Sequence, residues 1–336
     1  MNYREKEEAS KKYKEAYADD LDKLIRSRQK EAEMQRKIYI KDVFRDPERY
    51  RREFREMLGW PLFGMEKPTD RPRATAERIA DEEKYSVSRM TLEIFEGVRV
   101  SGLYFEQKKE GERPLVIVQH GGLGTPELIS GLYGSTANYN EMAPAVLARG
   151  ADVFAPQFLL WDKKYGVPFD RALMDARLKR VGSSITAVEV YAIERIMDYF
   201  EERPSVSSFG MVGLSYGGFY TLFAAAADPR IRGAVSCSFF NSRDDHPWCD
   251  WTWQNAAYRF DDAEIACLVY PRRLWVEMGS RDELFDCNVT RESFRRVQEY
   301  AREVGTDWIT YVEFDGVHEF CRDEGPLDGL IRLLEA

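Results

Sequence analysis

The chain has 336 residues, 44% of them hydrophobic and 32% charged, with a formal net charge of −9. That length holds one large α/β domain with an extension, or two small domains. The acidic balance argues against nucleic acid or an anionic membrane as the main partner, and no apolar run reaches membrane-spanning length.

The first residues, Met1 to Glu8, are charged where a signal peptide needs an apolar segment. Five cysteines (Cys237, Cys249, Cys267, Cys287, Cys321) are an odd number and form no C-x-x-C pair. They read as reduced thiols of a cytosolic protein, without a disulfide frame or zinc site.

Residues 1–73 form one unit and 74–336 another. In the first, Tyr13, Tyr17, Leu21, Leu24 and Ile25 recur at helical spacing among Lys and Glu. A second helix is expected from Asp46-Pro47, an N-cap followed by proline, through Tyr50, Phe54 and Leu58 to the stop Gly59-Trp60-Pro61. The arm either packs on the main domain as an amphipathic helical unit, or serves as a homodimer contact or part of a lid. Gly64 to Arg73, with Pro68 and Pro72, reads as a linker.

From Tyr85 the periodicity becomes two. Val87 to Ile94 and Val98 to Phe105 read as a hairpin around Gly97. Leu115 to Gln119 is a continuous apolar strand, as in the buried middle of a parallel sheet. It ends at His120-Gly121-Gly122-Leu123-Gly124, a loop whose backbone can approach a ligand closely. A helix is expected over 138–147 and a strand over 151–155. Gln157, Phe158 and Trp161 then either line a pocket at the strand end or pack. Another helix runs from Ser184-Ile185 to Phe200.

The next strand leads into Gly213-Leu214-Ser215-Tyr216-Gly217, and a helix-compatible run from Phe219 to Ala227 leads out. Strand, tight turn and helix around G-x-S-x-G describe a nucleophile elbow, with glycines where side chains would collide. The alternative is a glycine-rich turn with a buried serine. Residues 231–238 form a strand. Residues 239–258 are irregular and aromatic, and read as a lid insertion. Phe240, Trp248, Trp251 and Trp253 there, with Trp161, are the candidate substrate-binding residues. Such rings suit sugar stacking, or only fill space. His246 with Asp244 and Asp245 makes a poor metal cluster at that spacing. A helix is expected over 261–270 and a strand over 274–278. The loop after it carries Asp282, the candidate acid, with Glu283 as its rival and Asp244 or Asp245 if the acid follows the preceding strand. A last strand, 308–314, precedes His318, the only histidine after Asp282 and the candidate general base. His120 precedes the nucleophile and reads as a structural hydrogen-bonder.

Ser215, Asp282, His318 is the chain order of α/β-hydrolases, and the sequence resembles that superfamily from about residue 85 to its end. The expected fold is α/β: a mostly parallel central sheet flanked by helices, with an N-terminal helical extension and an aromatic lid. Asp262-Ala263-Glu264-Ile265-Ala266 through Pro271-Arg272, then Gly279-x-x-Asp282-x-x-Phe285, resembles the dienelactone-hydrolase and acetyl-xylan-esterase-like branch. His120-Gly121-Gly122 is similar to the corresponding loop of prolyl-oligopeptidase catalytic domains, although no propeller-sized segment is present. The resemblance implies a serine nucleophile, no metal and no organic cofactor. It implies an oxyanion hole from the N–H of Tyr216 and that of Gly122 or Gly121. Two departures stand out: Tyr216 follows the nucleophile where multi-acetyl xylan esterases tend to carry glutamine, and dienelactone hydrolases use cysteine where this chain has Ser215.

Three functions compete. One is a carboxylic-ester hydrolase acting on a small-molecule or carbohydrate ester, with short-acyl and acetyl esters as the candidates. The second is a peptidase or amidase with the same three residues. The third is a non-catalytic interaction protein of the same fold. The intact Ser215, Asp282 and His318 favour an enzyme.

Overall fold

The computed structural model describes residues 1–60, 62–160 and 169–336; Pro61 and Trp161, named above, lie outside the described residues. Nine strands form one sheet. They are β1 (Ala74–Asp81), β2 (Tyr85–Phe95), β3 (Val98–Gln107), β4 (Arg113–Gln119), β5 (Asp152–Pro156), β6 (Val206–Leu214), β7 (Ile231–Cys237), β8 (Arg273–Gly279) and β9 (Ile309–Phe314). Their spatial order is β1-β2-β3-β5-β4-β6-β7-β8-β9. The first three pair antiparallel, β3 meets β5 antiparallel, and the six from β5 to β9 run parallel.

The parallel strands are apolar on both faces because helices cover both. Every residue of β4 is buried. Leu115 and Ile117 join one apolar cluster, Val116 and Val118 the other. The hairpin of β2 and β3 follows the alternation read from Tyr85 onward. β1 escaped that reading because its residues are half-buried or exposed, so no apolar alternation marks it.

Ten helices join these strands among the described residues. They are α1 (Glu8–Tyr39), α2 (Pro47–Leu58), α3 (Pro126–Ile129), α4 (Met142–Ala148), α5 (Arg171–Arg180), α6 (Ile185–Glu201), α7 (Tyr216–Ala227), α8 (Asp262–Cys267), α9 (Cys287–Tyr300) and α10 (Gly325–Glu335). α2 starts as expected: Pro47 occupies its first turn and Asp46 accepts the Arg49 N–H. Ser184 likewise caps α6 through the Ala187 N–H. α8 is shorter than the expected 261–270, ending at Cys267 with Leu268 as its C-cap. α5 and α10 were not read from the sequence. α5 is mostly polar, and its buried residues are Arg171 and Asp175.

Within the arm α2 packs on the main domain, burying Tyr50, Phe54 and Leu58 as expected, whereas the buried residues of α1 lie in its C-terminal third. Ala32 and Arg36 are the buried residues of α1, whereas Tyr13, Tyr17, Leu21, Leu24 and Ile25 are all exposed. The expected packing therefore holds for α2, and the apolar residues of α1 from Tyr13 to Ile25 are left exposed. Arginines do much of the docking. Arg36 donates to the Ala257 carbonyl, Arg51 to those of Leu268 and Tyr270, and Arg55 to that of Ala227. These last two place guanidinium groups at the carboxyl ends of α8 and α7, where helix carbonyls lack internal partners.

Candidate active site

Ser215 stands between β6 and α7 with φ 60° and ψ −122°, a conformation a residue with a Cβ adopts only under constraint. The constraint is crowding. A methyl group on Gly213 would overlap the Gly217 backbone, and one on Gly217 would overlap the Gln119 carbonyl at the end of β4. The turn is pinned from outside too, since the Ser215 N–H donates to the Cys237 carbonyl at 2.9 Å. Ser215 is half-buried, so its hydroxyl sits at the carboxyl edge of the sheet beside the first turn of α7. The N–H groups of that turn favour developing negative charge.

His318 and Asp282 meet from different loops. His318 Nδ1 donates to Asp282 Oδ2 at 2.8 Å. Asp282 Oδ1 accepts the N–H groups of Leu284 and Phe285 at 2.8 and 3.0 Å, and its side chain is fully buried. Three donors fix the buried carboxylate in place, and its Oδ2 holds the imidazole with its proton on Nδ1. Glu283 is exposed, and Asp244, also exposed, accepts from Gln29 of the arm, so neither rival meets the imidazole. The N-cap of α9 is Asp286 rather than Asp282.

The histidine loop is tied to the serine turn through β7. The carbonyl of Glu319, next to His318, accepts from Cys237 Sγ at 3.4 Å and Ser238 Oγ at 3.3 Å. Cys237 is the residue whose carbonyl holds the Ser215 N–H. Asn138 adds a third hold, donating from Nδ2 to the His318 carbonyl at 3.0 Å.

The glycine loop lies against the turn: a methyl on Gly121 would stand 3.2 Å from Ser215 Cβ. The Gly121 N–H is engaged by Tyr139 Oη at 2.8 Å, which leaves the Gly122 N–H as the loop's candidate oxyanion donor. His120 is fully buried. Its Nε2 accepts the Phe158 N–H at 3.2 Å, so Nδ1 carries the proton and donates to the Gly121 carbonyl at 2.9 Å. That is the loop-holding role expected of it.

The aromatic lid departs most from expectation. Phe240 and Trp251 are fully buried. Trp251 stacks on Phe219 at 5.2 Å and tilts against Tyr216 at 4.7 Å, packing over α7, and with Trp253 it lines a cavity that Ile25, Gln29 and Met57 of the arm also line. Trp253 lies against Phe223 and Ser184, toward the arm. Of the four, Trp248 stays near the nucleophile: it is half-buried and stacks on Tyr216 at 5.8 Å. An aromatic insertion above an apolar helix gains more by burying its rings than by exposing them. His246 donates from Nε2 to the Leu284 carbonyl at 2.8 Å and its ring lies 4.6 Å from that of Phe285, bracing the acid loop. Among the described residues no group of three His, Cys, Asp or Glu side chains could hold a metal ion.

Two sets of residues at the site went unread. Tyr139 has no local motif to mark it. Arg171, Glu189, Tyr220 and Asp250 form buried ion pairs and hydrogen bonds across four elements, which sequence spacing does not encode. Glu277 in β8 is buried beside the Cys237 thiol, and burial pushes it up to about 8.

No protein-family model and no curated protein matches this chain. Solved structures do. A glucuronoyl esterase from Solibacter usitatus aligns with TM-score 0.59 at 14% identity, over 85% of this chain and 91% of that one. Acetyl xylan esterase 1 from Thermoanaerobacterium sp. aligns with TM-score 0.53 at 18% identity, over 86% and 93%. A methylesterase aligns with TM-score 0.64 at 18% identity, over 88% of this chain and 63% of that one. At these identities the likeness establishes the α/β-hydrolase fold.

Proposed function

We propose that this chain is a serine hydrolase that cleaves a carboxylic ester through an acyl-enzyme. One observation carries the reading: His318 Nδ1 lies 2.8 Å from Asp282 Oδ2, on loops at the sheet edge where the strained Ser215 turn emerges. With its proton held on Nδ1, the imidazole presents a lone pair at Nε2. That lone pair takes the Ser215 hydroxyl proton while Oγ attacks the ester carbonyl carbon. The carbonyl electrons move onto oxygen, which the N–H groups of Tyr216 and Gly122 receive. Collapse expels the alcohol, protonated by His318. Water then loses a proton to His318, attacks the acyl carbon and releases the acid, and Ser215 regains its proton.

For substrate class, the support is the fold shared with acetyl xylan and glucuronoyl esterases and the half-buried Trp248 ring beside Tyr216. A short-acyl ester of a carbohydrate or other small molecule fits best. Purified wild type and Ser215→Ala should be assayed against p-nitrophenyl esters from acetate to octanoate, with an acetylated sugar alongside. Hydrolysis of the shorter esters, reduced about 10⁴- to 10⁶-fold in the variant, is expected. Wild-type activity on none of them, or a variant that keeps most of the rate, sinks the reading.

A further inference from the structure

Beneath the nucleophile turn lies a buried charge network that the proposed chemistry does not use. Arg171, the first residue of α5, is 6% exposed. Its Nε donates to Asp250 Oδ2 at 2.7 Å. Its Nη2 and Nη1 donate to Glu189 at 2.9 and 3.2 Å. Nη2 also donates to Tyr220 Oη and Nη1 to the Leu159 carbonyl, each at 2.6 Å. The Tyr220 hydroxyl donates in turn to Glu189. One guanidinium thus joins the loop after β5, α6, α7 and the lid to α5.

Asp250 links this hub to the site. It belongs to the lid, its backbone carbonyl accepts from Thr186 Oγ1 at 2.7 Å, and its Oδ2 accepts the Tyr216 hydroxyl at 2.9 Å. Tyr216 is the residue after Ser215, and its N–H is the proposed oxyanion donor. Its ring is enclosed, with Trp248 and Trp251 against it and the Arg171 guanidinium 5.4 Å from its centroid. Burial opposes the charge on Arg171, but Glu189, Tyr220 and Asp250 hold it protonated; burial and Asp250 likewise keep the Tyr216 hydroxyl neutral.

Stability alone does not call for this arrangement. Buried ion pairs repay little more than their desolvation, and a phenylalanine would fill the same volume as Tyr216 without needing a partner. What the network supplies is direction. We propose that Arg171 and Asp250 are positioning residues that fix Tyr216 through its hydroxyl and so keep its backbone N–H aimed at the oxyanion. This rests on the hydrolase reading above.

The test separates the two. Tyr216→Phe removes one hydroxyl and leaves the ring, and Asp250→Asn keeps the shape of the lid contact. For each, kcat and KM on p-nitrophenyl acetate, the Ki of a trifluoromethyl ketone and the melting temperature should be measured. The ketone forms a tetrahedral adduct whose oxyanion occupies the same site, so its affinity reports the hole. Both variants should lose about 10- to 100-fold in kcat with KM within about threefold, and weaken the ketone by the same factor as kcat/KM. The pH profile of kcat/KM should not move, because His318 and Asp282 are untouched. Rates within twofold of wild type, in an enzyme that Ser215→Ala inactivates, overturn the positioning role and leave the hydrolase reading standing. So does a fall in activity with unchanged ketone affinity, which marks only a smaller folded fraction. An active Ser215→Ala enzyme sinks both.

Discussion

α7 and α1 are both helices, and they obey opposite rules. All twelve residues of α7 are buried, and the turn before it leaves no room for a single added methyl group. α1 runs for 32 residues and buries two. In the first, neighbours dictate every side chain. In the second, the apolar pattern stays largely in contact with solvent. Apolar periodicity states which face would be buried, while steric crowding states which residues must be there.

The comparison can be broken or sharpened, beginning with the largest expected effect. Gly217→Ala should abolish soluble folded protein or cost several kcal/mol, because its methyl meets the backbone of Gln119, which belongs to a central strand and cannot yield. A variant that melts within about 2 °C of wild type would show that the turn has slack. Asp282→Asn should keep the fold yet lower kcat by about 10³- to 10⁴-fold, since an amide can present the wrong tautomer to His318. A loss under tenfold would mean that another group orients the imidazole.

Glu277 tests the same dense region through pH. Its folded-state value, pushed up to about 8, lies above the ordinary carboxylate range. Below about pH 4 the carboxyl is protonated whether folded or unfolded, and its effect on stability vanishes. As pH rises toward 8 the unfolded chain releases the proton and the folded chain does not, so the protein loses stability across that window. Glu277→Gln should therefore stabilise the protein by on the order of a few kcal/mol at pH 8 and by little at pH 4. A gain independent of pH, by denaturant unfolding, would place the carboxyl in water or against an unseen partner.

The smallest effect is expected at the arm. Tyr17→Lys with Leu21→Lys should leave the melting temperature at low micromolar concentration within about 1–2 °C, as for exposed sites without contacts. A larger, concentration-dependent fall would show that the stripe is covered in solution by a second copy of the chain.

Much of the fold was legible because local physics carried it. The continuous apolar run of β4 announced a central parallel strand, and Asp46-Pro47 with Gly59 bounded α2 on both sides. β1 and α5 were not legible. One is a solvent-facing edge and the other a polar helix anchored by Arg171 and Asp175, so neither shows an apolar period. At the site, Ser215, Asp282 and His318 each follow a strand, and chain order alone brought them forward as a set. The lid aromatics left pocket wall and space-filling both open, because sequence gives aromatic content without direction; Phe240 and Trp251 are fully buried.

The sequence by itself determined the strand–turn–helix around Ser215 and the loops that carry His120, Asp282 and His318, because glycine placement and apolar runs act over a few residues. Tertiary structure alone decided that the Gly121 N–H belongs to Tyr139, that Asp250 holds Tyr216, and that the arm's stripe stays exposed. Those outcomes depend on groups 18, 34 or more than 200 positions apart. No spacing rule reaches that far; only the packed sheet brings such groups within hydrogen-bonding distance.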